Sequence, residues 1–211
     1  MLRLLVEKYT PSTLPYHIIV PSLPGYTLSS PPPKGRDFCL EDAAALLDQL
    51  MRALTFEKYV VQGGDVGSKI ARVLGGTTNN GSATIHLNFC IMPEPSALSS
   101  DTSDNTLEQA GLERAEWFTK LGSAYALEHA TRPSTIGLVL SSSPLALLVW
   151  IGEKFLEWSD EPHLPTSTIL ADVTLYWLTN CASTSLWPYR QLFTPGVVGA
   201  HENPEMAYQQ A

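Results

Sequence analysis

Apolar residues recur along this chain with two different spacings, and the change between them divides it. From Tyr16 to Val20 the apolar run is nearly unbroken, as in a strand buried on both faces of a parallel sheet. Leu40, Ala43, Ala44, Leu47, Leu50, Met51 and Leu54 then fall three and four apart, which predicts an amphipathic helix. A second strand-like run, Lys58 to Gln62, leads through Gly63-Gly64-Asp65-Val66-Gly67-Ser68 into a helix-like run from Ser68 to Leu74. The polar stretch from Gly75 to Gly81 ends that helix, and Ala83 to Phe89 is a third strand. Strand, helix, strand, helix, strand in that order predicts a parallel sheet with covering helices. Met1 to Tyr9 predicts a short helix ahead of it, and Pro21 to Gly35 a loop.

After Phe89 the pattern changes. A Pro/Ser/Asp-rich connector occupies 93–104, and everything that follows to Phe193 reads as helix: Leu107 to Ala130, a short apolar piece at Ile136 to Leu140, Leu145 to Trp158, Ser167 to Cys181 and Ser185 to Phe193. Residues 194–211 read as a loose polar tail. The predicted organisation is therefore α/β: a partial parallel sheet with covering helices over 1–92, a connector over 93–104, an all-helical part over 105–193 and a tail.

With 211 residues, 44% apolar and 16% charged, the chain folds rather than remaining disordered. A formal net charge of −8, with no Lys/Arg run to offset it, argues against binding nucleic acid or an anionic membrane. The most apolar stretch, Leu145 to Ile151, is too short to span a bilayer. No signal peptide is predicted. Cys39, Cys90 and Cys181 are widely spaced and show no ligand spacing, so neither a disulfide framework nor a metal or cofactor is predicted. The expected setting is reducing and cytoplasmic.

The chemistry concentrates at Gly63 to Ser68. Small-x-Asp-x-small on a sharp strand-to-helix turn is the form of a nucleophile elbow, with Asp in the place of the usual serine. Glycine suits the turn because a side chain beside the nucleophile would strike strand or helix. The helix N-terminus favours negative charge, so Asp65 is expected to be ionised and ready to attack. The same six residues also fit an ordinary Gly-Gly-Asp turn with Asp as the helix N-cap.

Seven segments in order resemble the microsomal-type epoxide hydrolases, the fungal ones above all, within the α/β-hydrolase fold. They are His17 to Tyr26; the elbow; His86-Leu87-Asn88-Phe89 with Pro93; Gly122 to Tyr125 with Thr131 to Gly137; Trp150 to Phe155; Leu175 to Thr179; and Pro188-Tyr189-Arg190. The resemblance implies an incomplete α/β-hydrolase fold whose helical part is a lid. It implies Asp65 as nucleophile on an epoxide carbon, forming an alkyl ester, and the Val66 backbone N–H as an oxyanion donor. It implies Tyr125 and Tyr189 as hydrogen-bond donors to the epoxide oxygen. Read from the residues alone, both tyrosines also fit as packing anchors.

The implied substrate is a small or medium apolar epoxide, in fungal detoxification or secondary metabolism. Two parts of the family's pattern have no counterpart here: an upstream His-Gly-x-Pro-Gly loop, and a downstream acid with Gly-Gly-His. The chain is thus expected to be truncated at both ends. None of His17, His86, His129, His163 and His201 matches the missing histidine, and Asp160, Glu161 and Asp172 read as surface charge. Two further readings stand beside this one. A remnant without activity would bind an apolar ligand, a second copy or a partner chain. A haloalkane dehalogenase would share the Asp nucleophile, but there Trp typically follows it, where this chain has Val66.

Overall fold

A computed structural model describes residues 2–77, 83–90 and 106–194. The connector and residues 195–211 of the tail lie outside the described residues. Helix α1 (Leu2–Lys8) precedes a long loop, and α2 (Leu40–Ala53) follows it. Strand β1 (Tyr59–Gly63), helix α3 (Val66–Thr77) and strand β2 (Ala83–Leu87) form a unit of two parallel strands with α3 in the connection between them. Register runs from Tyr59 opposite Ala83 to Gly63 opposite Leu87. The helical half comprises α4 (Thr106–Trp117), α5 (Ala124–Thr131), α6 (Pro133–Ser142), α7 (Pro144–Trp158), α8 (Thr166–Leu178) and α9 (Trp187–Phe193).

The expected parallel pairing is present, but the sheet has two strands among the described residues, not three. Tyr16 to Val20 is not a strand. Its apolar run has no ladder beside it, and Val20 stays 69% exposed. A strand is defined by its partner, and composition alone cannot supply one. The expected single helix over Leu107 to Ala130 is also broken. Phe118–Gly122 forms a π-turn between α4 and α5. Gly122 permits it, because a Cβ there would stand 2.8 Å from the Trp117 ring. The extra residue rotates α5 so that Ala126, His129 and Ala130 are buried.

Two apolar clusters hold the fold. Leu40, Ala43 and Ala44 of α2 pack on Ile70, Val73 and Leu74 of α3, joined by Trp187 of α9. Ile136, Leu140, Leu147, Ile169 and Val173 form the second cluster between α6, α7 and α8. Helix α9 thus ends the helical half against the α/β part. Its Gln191 accepts from the Leu40 N–H at 2.8 Å and donates to Glu41 at 2.8 Å, which caps the start of α2. No single helix among the described residues is long and apolar enough to cross a membrane. The apolar pair α6 and α7 is bent by 114°.

One strap ties the loop before α2 to this junction. The Trp187 indole N–H donates to the Pro24 carbonyl at 2.7 Å, and the Thr184 hydroxyl donates to the Gly25 carbonyl at 2.6 Å. Gly25 has φ +81, and a Cβ on it would lie 2.2 Å from the Thr184 carbonyl oxygen. Gly25→Ala is therefore expected to destabilise the chain by about 1–3 kcal/mol. Urea unfolding of both proteins measures this, and an unchanged midpoint would contradict it.

Candidate active site

The elbow is built as its sequence requires, with one difference. Asp65 has φ +45, a left-handed conformation that a non-glycine residue adopts only when the surroundings enforce it. A Cβ on Gly63 would lie 2.3 Å from the Gly67 carbonyl, and one on Gly64 would lie 2.5 Å from the Asn88 side chain. Close approach thus explains Gly63 and Gly64. It does not explain Gly67, where a Cβ would meet nothing within 4 Å. Gly67 instead lines the cleft in front of Asp65. The Ser68 hydroxyl donates to the Asp65 carbonyl at 2.5 Å, and the Ser68 N–H to the same oxygen at 3.0 Å.

Asp65 opens into a cleft of about 610 Å³ between the α/β part and the helical half. Its carboxylate is accessible from that cleft, yet enough protein surrounds it that burial raises its pKa. Lys69 and a hydrogen bond from the Val66 N–H act in the opposite direction. Desolvation is the largest influence on Asp65, opposed first by Lys69 and then by the Val66 N–H at the helix end.

Tyr125 and Tyr189 line the same cleft and touch each other, ring centroids 5.7 Å apart at 77°. The charge of Asp65 is felt by both phenols. Burial raises the pKa of each, so both stay protonated as donors. The π-turn before α5 delivers Tyr125, and the cap that α9 forms on α2 delivers Tyr189. The residues named from the sequence, Asp65, Val66, Tyr125 and Tyr189, therefore meet at one cleft.

Four cleft residues were not singled out by the sequence as part of the site. His129 stands in the last turn of α5, where the helix dipole favours a charged ring. It is 6% exposed, and burial with Lys154 nearby lowers its pKa to about 4. Its Nε2 accepts from the Trp150 indole at 3.1 Å, and its ring stands edge-on to Tyr189 at 4.6 Å. Asp172 had been read as surface charge. It lines the cleft, half-buried, with its pKa raised by desolvation. Tyr176, one turn further along α8, and Tyr26 line it too. An acid four residues before a tyrosine on an apolar helix was the available signal for that pair. His86 lies in β2 and His17 in no strand, and both are exposed.

The comparisons fit this geometry. A model of the α/β hydrolase fold matches residues 7–88. The structure of Aspergillus niger epoxide hydrolase superposes with a TM-score of 0.83 at 52% identity, over 91% of this chain and 50% of that one. A Dothistroma septosporum protein that bears the name of an epoxide hydrolase is 47% identical over 194 residues, 90% of this chain and 45% of the relative. A similarly named protein of Stigmatella aurantiaca is 36% identical over 175 residues, 81% of this chain and 39% of the relative. The fold is thus part of an α/β hydrolase with a helical cap. Within that fold the chain is a homologue of the fungal epoxide hydrolases, and it spans about half the length of the relatives it matches.

His129 makes a prediction of its own. Its folded pKa of about 4 lies below the ordinary 6.5, so the unfolded chain binds its proton first. Stability supplied by the neutral ring is intact above pH 6.5 and is lost as pH falls toward 4, by about 3 kcal/mol at most. His129→Gln should lose that slope. Unfolding free energies of both proteins between pH 7 and 4 measure it, and parallel curves would contradict it.

Proposed function

We propose that the cleft opens an apolar epoxide through the carboxylate of Asp65. One observation carries the reading: a carboxylate forced into a left-handed turn shares a cleft with two protonated phenols in ring contact. A carboxylate oxygen bonds to a ring carbon, the ring C–O bond breaks, and its electron pair moves to the epoxide oxygen. Tyr125 and Tyr189 donate to that oxygen, and one of them passes it a proton. Donation matters because an epoxide oxygen leaves poorly as a bare alkoxide, and a phenol donates without carrying charge. The Val66 N–H, which rests on the carboxylate, is the candidate oxyanion donor when the ester is cleaved.

Apolar walls, among them Leu140, Leu147, Ile151 and Phe155, support an apolar substrate. Cys39, Cys90 and Cys181 form no disulfide, which supports a reducing, cytoplasmic setting. Exposed Ile18, Val20 and Val60 support a second copy or a partner chain against the sheet side.

Among the described residues, no histidine–carboxylate pair stands beside Asp65 to activate water for cleavage of the ester. His129 is neutral and engaged by Trp150, and the His163–Glu161 pair involves no cleft histidine. That favours, as a second reading, a chain that forms the ester and stalls, or one that only binds. Intact-mass measurement after incubation with a reactive epoxide separates these. A stoichiometric adduct that is absent from Asp65→Asn is expected; binding unaffected by Asp65→Asn with no adduct would leave the binding-only reading. Replacing both Tyr125 and Tyr189 by Phe should slow adduct formation by about 10²–10⁴-fold. An unchanged rate would return both to a packing role.

A further inference from the structure

Four phenols line the cleft, Tyr26, Tyr125, Tyr176 and Tyr189. The rings of Tyr125 and Tyr189 meet edge to face, centroids 5.7 Å apart. Tyr26 and Tyr176 line the same cleft, and neither hydroxyl has a hydrogen-bond partner among the described residues. Neither oxygen is among the fully buried, unpartnered ones, so each keeps surface toward the cleft. Both are tied to one turn: the Cys181 N–H donates to the Tyr176 carbonyl at 3.2 Å, and Thr184, whose N–H donates to the Cys181 carbonyl at 3.1 Å, holds the carbonyl of Gly25 next to Tyr26. Tyr176 is the foremost charge-bearing influence on Tyr26, and both feel Asp65 and the buried Cys181.

The fold positions this second pair firmly. Tyr26 follows Gly25 in the strap that Thr184 and Trp187 hold. Its own backbone donates to Leu23 at 2.9 Å and accepts from Ser29 at 3.0 Å. Tyr176 stands on α8, whose Ile169 and Val173 are fixed in the second apolar cluster. Two donors are thus held on rigid backbone beside the nucleophile, against walls that are mainly apolar. Such donors cost free energy when an apolar ligand covers them without a partner, and they reward a ligand that brings an acceptor.

We propose that Tyr26 and Tyr176 form a second oxygen-binding subsite, which selects ligands carrying an ether or hydroxyl oxygen on the chain beside the reacting ring. This rests on the reading of the cleft as an epoxide site. Tyr125 and Tyr189 take the ring oxygen, and Tyr26 and Tyr176 take the oxygen further along. Asp172, one turn before Tyr176 on the cleft side of α8, accepts the proton of that oxygen when it is a hydroxyl.

Binding tests the subsite without requiring chemistry. The probes are two vicinal diols of equal chain length, a butyl glyceryl ether and its all-carbon isostere octane diol. Titration calorimetry on the full chain should show the ether bound about tenfold more tightly. That ratio should fall toward unity in Tyr26→Phe and in Tyr176→Phe. Melting temperatures within a few degrees of the parent show that each variant is folded. Equal affinity for the two diols in the parent, no binding of either, or a preference kept in both variants would overturn the subsite. A preference without any Asp65 adduct would sustain the subsite and count against the epoxide chemistry.

Discussion

The structure depends on how closely β1 and α3 approach one another at their shared turn. Gly63 leaves no room for a Cβ against the Gly67 carbonyl, and Gly64 none against Asn88. Gly64 and Asp65 join the two elements, and Asp65 makes the turn in the left-handed region. Such a conformation costs about 1–3 kcal/mol and persists only where packing over-determines it. Here the parallel ladder to β2 and the burial of Ile70, Val73 and Leu74 under α2 supply that packing. The result is a carboxylate at the C-terminal end of a parallel strand, where open α/β sheets bind ligands.

A carboxylate in that place needs an electrophile and a way to stabilise what the electrophile becomes. Helices far along the chain provide the second. Helix α9 caps α2 through Gln191 and carries Tyr189; the π-turn rotates α5 so that Tyr125 meets it. The strap between Pro24-Gly25 and Thr184-Trp187 fixes the spacing of these parts. Cleft and elbow are therefore one construction, and loosening the strap would be felt at the nucleophile.

Much of this was readable before any coordinates, because it rests on local chemistry. The elbow is a matter of which residues tolerate a tight turn, and the lid helices are a matter of spacing. What escaped the sequence is what distant partners decide. Tyr16 to Val20 has strand composition and no ladder. The charge state of His129 is set by burial between Tyr189 and Trp150, which overrides its helix end. Asp172 reads as surface charge until α8 is docked, and the hydroxyls of Tyr26 and Tyr176 become a pair only when residues 150 apart in sequence meet. The break at Gly122 depends on the Trp117 ring lying over it.

Locating the alkylated atom tests the central claim most directly. Epoxides also react with thiols, and Cys39 and Cys90 are at least partly accessible. Peptide mapping by tandem mass spectrometry after brief exposure of the folded chain to an apolar epoxide should find the added mass on Asp65, as a base-labile ester. The same exposure of urea-unfolded chain should leave Asp65 unmodified. Label confined to cysteine, or equal labelling of Asp65 in folded and unfolded chain, would contradict the account.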